Sequence, residues 1–170
     1  MKRLLVFSDS HGSIQGLLDV VNRHKEVDAI FHAGDIVGDD DRLRNATAKQ
    51  VCIVRGNCDW GSSLPSQMVV TLGGKRIAIC HGDRYVNYGG TDSLRYWGME
   101  NNADMIIFGH THVPYLEQNS QMTILNPGSI SRPRQEGHQE TYAYVEIDGE
   151  EIRVEIRRGK DDKKIDIPIM

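Results

Sequence analysis

The chain has 170 residues, a length typical of one domain. A chain of this size buries roughly 70% of the surface it exposes when unfolded, so it needs no disulfide to fold. A net charge of −4 argues against a broad nucleic-acid footprint, which would be basic, and no apolar run approaches the roughly 20 residues of a membrane span.

Lys2 to Phe7 reads as a strand, and Ser13 to Arg23 as a helix with Ile14, Leu17, Leu18 and Val21 at helical spacing and Ser13 as its cap. Val27 to Phe31 is a second strand. The acidic run Asp39-Asp40-Asp41 opens a short polar helix, where negative charge suits the helix dipole. Val51 to Val54 is a third strand, and strand-helix-strand crossovers of this kind favour a parallel sheet. The second half carries hairpin signals. Gly73-Gly74 joins Gln67–Leu72 to Lys75–Cys80, Gln118 to Gln121 joins Tyr115–Glu117 to Met122–Leu125, and Asp148-Gly149-Glu150 joins Thr141–Ile147 to Glu151–Ile156. Between them lie a helix within Gly89 to Asn102, with Leu94, Trp97 and Met99 facing inward, and a strand from Asp104 to Phe108. The mixed-charge tail from Arg157 is expected to fray. The whole reads as one α/β domain over residues 1–170, with two sheets packed face to face and helices outside.

Five of the apolar runs stop at polar residues able to bind metal. Phe7 leads into Asp9 and His11, Phe31 into Asp35, Val54 into Asn57, Cys80 into His81, and Phe108 into His110 and His112. Ligands of open α/β sheets collect at the carboxyl ends of strands, so these seven side chains are expected to converge. Seven nitrogen and oxygen donors exceed the four of a structural zinc site, and suit two metals that share a carboxylate. Asp35, whose two oxygens can span two cations, is the expected bridge. Alternate residues of an extended segment point the same way, which would aim Asp9 with His11, and His110 with His112, at the site. Taken singly, these motifs read as surface polar residues or turns; it is their shared position at strand ends that points to a metal centre. Imidazole and carboxylate donors suit manganese, iron, zinc or nickel better than calcium.

These residues resemble the calcineurin-like metallophosphoesterase superfamily. Its motifs appear as Asp9-Ser10-His11, Gly34-Asp35, Gly56-Asn57-Cys58-Asp59, His81-Gly82 and Gly109-His110-Thr111-His112, and Asn126-Pro127-Gly128-Ser129 extends the likeness. The short chain and Cys58 are similar to the small YfcE-type phosphodiesterase branch, which also contains the retromer scaffold subunit. The resemblance implies a four-layer α/β/β/α sandwich and a dinuclear centre, with manganese expected and nickel, iron or zinc as alternatives. One metal would take Asp9, His11, Asp35 and His112, and the other Asp35, Asn57, His81 and His110. A hydroxide bridging the metals would attack a phosphate ester in line, with a small phosphodiester as the expected substrate. A phosphomonoesterase and a non-catalytic protein-binding scaffold are the alternatives, the scaffold disfavoured because all seven ligand positions are filled.

The sequence departs from the family at Cys58, where many members carry a His that interacts with the phosphate or protonates the leaving group. The expected catalytic set is therefore Asp35, Asn57, His81 and Cys58, with weaker action on poor leaving groups. Arg55, Asp59, Asp83 and Arg132 are further candidates for contact with phosphate or with a metal ligand; Arg134 is weighed with Arg132, and a surface loop is the competing reading for both. Tyr85 and Tyr88 offer a wall or a stacking face. His32 reads as a packed residue, and His24 and His138 as exposed ones. Apolar surface near Trp60 or Trp97 would mark a homodimer patch. Cys52, Cys58 and Cys80 lack paired spacing, and nothing at the N-terminus reads as a signal peptide, so the expected location is the cytoplasm.

Overall fold

The computed structural model describes residues 1–86 and 90–170. The elements in chain order are β1 (Lys2–Phe7), α1 (Gln15–Arg23), β2 (Ala29–His32), α2 (Asp40–Asn45), β3 (Gln50–Ile53), β4 (Gln67–Leu72), β5 (Lys75–Cys80), α3 (Asp92–Glu100), β6 (Met105–Ile107), β7 (Pro114–Gln118), β8 (Thr123–Pro127), β9 (Thr141–Asp148) and β10 (Glu151–Arg158). They form two five-stranded mixed sheets, ordered β10-β9-β1-β2-β3 and β4-β5-β6-β8-β7. In the first, β1, β2 and β3 run parallel; in the second, β5, β6 and β8 do. β9 and β10 extend the first trio antiparallel on its β1 side, and antiparallel β4 and β7 flank the second.

Side-chain alternation along the strands builds three apolar layers. Leu4 and Val6 of β1, with Phe31 and Cys52, face Ile77, Ile79, Ile107 and Leu125 of the other sheet and form the central core. Leu5 and Phe7 point the opposite way, onto Ile14, Leu17, Val20 and Val21 on and beside α1 and Leu43 of α2. On the far side, Ala78, Ile106 and Ile124 pack under Leu94 and Trp97 of α3. Strands covered on both faces read as continuous apolar runs, which explains the composition of β1, β2, β5 and β6. Burying each such Leu, Ile or Phe contributes about 1.5–3 kcal/mol. The result is the four-layer α/β/β/α sandwich that the family resemblance implies. Among the described residues, no helix is long and apolar enough to cross a membrane.

Several local readings need correction. Ser13 does not cap α1; Ile14 holds the cap position without a side-chain bond, and the Ser13 amide closes a turn onto the Ser10 carbonyl. Met99 is 59% exposed, because it falls off the stripe that seats Leu94 and Trp97. Trp97 is only 8% exposed and offers no surface patch, whereas Trp60 is 89% exposed. His24 is not a free surface residue, since its ring bonds Tyr142 Oη at 3.0 Å and Glu26 at 2.9 Å. His138 is exposed. Arg157 and Arg158 belong to β10, and the chain beyond them bridges Arg157 to Lys164 and Leu116 to Ile169. Ile165 and Ile167 pack on the central core, so apolar contacts anchor a segment whose mixed charge alone predicts fraying. Gly89 and Tyr88 lie outside the described residues.

Candidate metal centre

The seven candidate ligands all follow the carboxyl ends of parallel strands: Asp9 and His11 after β1, Asp35 after β2, Asn57 after β3, His81 after β5, and His110 and His112 after β6. The two parallel trios bring these loops to one edge of the sandwich.

There the side chains sort into two groups. In the first, His112 Nε2 lies 3.1 Å from Asp9 Oδ1, His11 Nε2 lies 3.7 Å from the same oxygen, and the two histidine Nε2 atoms are 3.2 Å apart. In the second, Asn57 Oδ1 is 3.0 Å from both His81 Nε2 and His110 Nδ1. Asp35 stands between them, its Oδ2 3.3 Å from His81 Nε2 and 3.6 Å from His11 Nε2.

The backbone is bent to make this possible. Asp9, His11, Asp35, His110 and His112 all have φ between 45° and 68°. This left-handed region is uncommon for residues other than glycine and costs of order 1 kcal/mol or more at each position. Paired side chains such as Asp9 and His11 therefore converge through strained turns, not through the extended alternation expected from D-x-H and H-x-H spacing. Gly56 and Gly109 serve close approach. A Cβ on Gly56 would overlap Asp35 Oδ1, and one on Gly109 would overlap Ser8 Oγ.

Surrounding groups hold these turns. Asp59 accepts from the amides of Asp35 (2.8 Å), Val37 (2.7 Å) and Gly56 (2.7 Å), tying the loops after β2 and β3 together. The Cys58 amide donates to Asp35 Oδ1 at 2.7 Å. Ser129 Oγ and Ser131 Oγ donate to the Asp9 carbonyl at 2.8 and 3.1 Å. Asn126 Nδ2 donates to the Gly109 carbonyl at 2.8 Å, so the Asn-Pro-Gly-Ser segment splints both ligand loops. Two backbone carbonyls orient histidines: Ala33 accepts from His81 Nδ1 at 2.8 Å and Arg132 from His112 Nδ1 at 2.6 Å. Each bond commits the proton to Nδ1 and turns Nε2 inward, the usual way a ligand histidine is aimed. No residue-type signal marks a backbone acceptor, so the sequence does not reveal these two.

The electrostatics fit a cation. Burial opposes the charge on Asp9, yet the facing His11 and His112 outweigh it and hold the carboxyl far below its ordinary range. Burial likewise opposes the charge on Asp35, and His81 overcomes it. Burial alone would lower His81, but Asp35 and Asp9 push it up to about 9. Two buried carboxylates thus draw a proton onto an inward-facing imidazole, at a place where a metal would otherwise supply positive charge. Asp9 Oδ1 is buried and has no hydrogen-bond partner, the state expected of an oxygen reserved for a metal. Asp9, His11 and His112 offer donor atoms within 4.8 Å of one another, as do Asp9, Asp35 and His81.

The other expected residues fall around this centre. His32 is fully buried; its Nδ1 accepts from the Gly34 amide and its Nε2 meets Ser10 Oγ at 3.1 Å. Burial drives its pKa down to about 4, so it is a neutral packed residue. Cys58 lies within donor range of His11 and Asp35, and burial followed by the Asp35 charge pushes its thiol up to about 11. Arg55, Asp83 and Tyr85 line a cleft beside Asn57 and His81 together with Arg84. The side chains of Arg132 and Arg134 are exposed, and the bond observed from Arg132 to a candidate ligand is through its backbone carbonyl.

Residues 1–150 match the calcineurin-like phosphoesterase superfamily domain. A probable metallophosphoesterase of Methanothermobacter thermautotrophicus is 36% identical over 141 residues, covering 82% of this chain and 80% of that protein. The Escherichia coli phosphodiesterase YfcE is 28% identical, with 87% and 89% covered. The crystal structure of a predicted phosphoesterase from Streptococcus pneumoniae superimposes with a TM-score of 0.85 at 34% identity, covering 96% of this chain and 92% of that one. Members of this family use divalent metals, and the chain belongs to the calcineurin-like phosphoesterase superfamily.

Proposed function

We propose that this phosphoesterase is a phosphodiesterase whose centre holds two divalent cations, manganese foremost, with nickel, iron or zinc able to replace it. Asp9, His11, His112 and Asp35 would hold one, and Asn57, His81, His110 and Asp35 the other. The observation that carries this reading is the position of Asp35 Oδ2, which faces His11 of one group and His81 of the other. When bound, the cations would polarise the phosphate oxygens and activate water for in-line attack. Asp35 supplies charge to both positions, while Asn57 adds a neutral oxygen and so leaves the centre electropositive enough to draw a phosphate anion. The Ala33 and Arg132 carbonyls keep His81 and His112 in the tautomer that presents Nε2.

A diester is favoured by Cys58. Its thiol stays protonated at neutral pH but hydrogen-bonds weakly, so it protonates a departing alkoxide poorly. Similarity to a protein named as a phosphodiesterase supports the same choice. Metal-stripped protein given Mn²⁺ should hydrolyse a nitrophenyl diester faster than the corresponding monoester. A faster monoester would overturn the diester reading, and folded protein inert with every divalent metal tried would overturn catalysis.

Cys58→His tests the leaving-group argument. General acid help is worth roughly 10²–10⁴-fold, so turnover of alkyl esters should rise at least about tenfold while nitrophenyl esters change little. An unchanged rate on alkyl esters would remove Cys58 from the account.

A further inference from the structure

A second cleft adjoins the candidate metal centre on its Cys58 side. It measures about 530 Å³ and is lined by Val37, Gly38, Asp40, Cys58, Trp60 and Ser63, among others. That volume lies within the ~300–1,000 Å³ typical of small-molecule sites. Cys58 belongs both to this cleft and to the cluster with His11 and Asp35, so the cleft and the centre meet at this residue.

Three features of the cleft are unusual together. Trp60 is 89% exposed, although an indole is among the side chains that gain most from burial. Val37, at 42% exposure, is a β-branched residue held at φ 55°, a backbone region that such side chains avoid. Its amide is held by Asp59 Oδ1, and Asp59 immediately precedes Trp60. One carboxylate anchored by three amides therefore ties the backbone of Val37 to that of Asp35 and Gly56, beside the residue that carries the indole.

The charge pattern selects the occupant. The charged residues of this cleft are Asp40 and Asp59, both acidic, and Asp59 is already occupied by backbone amides. The cleft on the His81 side carries Arg55 and Arg84 against one acid, Asp83, and so has a net positive lining. A further phosphate or a carboxylate would be repelled from the Trp60 side and attracted to the arginine side. An uncharged planar ring would stack on the indole, and its amino or hydroxyl donors would find the acceptor-only Asp40.

We infer that Trp60 and Val37 form a subsite for a nucleoside carried on one ester arm of the phosphate substrate, with the phosphate at the metal centre. This deepens the phosphoesterase reading and rests on it. Stacking of a base on an aromatic side chain is worth ~1–3 kcal/mol, or about 5–150-fold in affinity.

The test compares adenosine monophosphate with methyl phosphate as ligands of the Mn²⁺-loaded protein, by calorimetry and by tryptophan fluorescence. Adenosine monophosphate should bind at least about fivefold more tightly and quench the exposed Trp60. Trp60→Ala should erase that ratio and Trp60→Phe should keep most of it. Both variants leave the core intact because Trp60 lies outside it, which circular dichroism would check. Equal affinities in the unmodified protein, or a preference that survives Trp60→Ala, would overturn the subsite. So would a dimer that Trp60→Ala dissociates while the two phosphates bind alike, since the indole would then serve a second copy of the chain. Failure of the phosphoesterase reading looks different: the nucleotide preference would remain while no diester is turned over with any metal.

Discussion

Asp35→Ala should abolish metal-dependent hydrolysis, lowering turnover by ~10³-fold or more and reducing bound metal below two ions per chain. Loss of a group that merely orients a ligand typically costs about 10–100-fold in metal affinity or activity. Asp35 should cost more, because Oδ2 faces both histidine groups while Oδ1 accepts the Cys58 amide, so one truncation disturbs both halves of the centre. Asp35→Asn separates charge from shape. It keeps an oxygen for the Cys58 amide and preserves volume, yet brings no negative charge to the cations. Its fold should match the parent while its metal content and turnover fall nearly as far as in the Ala variant. Metal analysis and diester kinetics on both variants decide the matter. Two retained ions with near-normal turnover would show that Asp35 does not bridge.

Asp59→Ala should be the most damaging change outside the ligand set. Its carboxylate satisfies three backbone amides in a largely buried place, and truncation orphans all of them. An unsatisfied buried donor costs about 1–3 kcal/mol, and the outermost amides would recover water, so a net loss of ~2–4 kcal/mol is expected. For a chain of this length that corresponds to a drop in Tm of roughly 4–16 °C. The freed Asp35 and Gly56 backbone should also loosen the centre and weaken metal affinity by about 10–100-fold. Asp59→Asn, which retains one acceptor oxygen, should fall between. Thermal melts of metal-free protein isolate the stability term, and metal titrations give the second. A melting midpoint within a degree of the parent would show that these amides are held by other contacts.

How much of the centre was legible depends on the kind of interaction. The residue types Asp, His and Asn at the ends of apolar runs are chemical properties of the sequence, and period-two burial with buried parallel strands requires those ends to meet. His81 illustrates this: Cys80 closes β5, and the next residue inevitably emerges at the carboxyl edge. The Gly56-Asn57-Cys58-Asp59 motif likewise marked Asp59, but not its role, because its partners are amides of residues up to 24 positions away. The left-handed turns at Asp9, His11, His110 and His112 were not legible either. Local propensity disfavours them, and only splints from distant chain, such as Ser129 and Asn126, make them affordable.

The same division runs through the whole molecule. The sequence by itself determined the strands, the parallel pairing of the first three, the packing of two sheets face to face and the donor chemistry at their edge, since these follow from side-chain periodicity and from groups each residue carries; its hairpin signals did not reveal that β5, β6 and β8 also run parallel. Only the tertiary structure decided the distances that set Asp35 Oδ2 between His11 and His81, which nitrogen His81 and His112 present, and that Trp60 is left exposed while Trp97 is covered. Those outcomes depend on contacts between segments far apart in the chain, whose geometry no local pattern encodes.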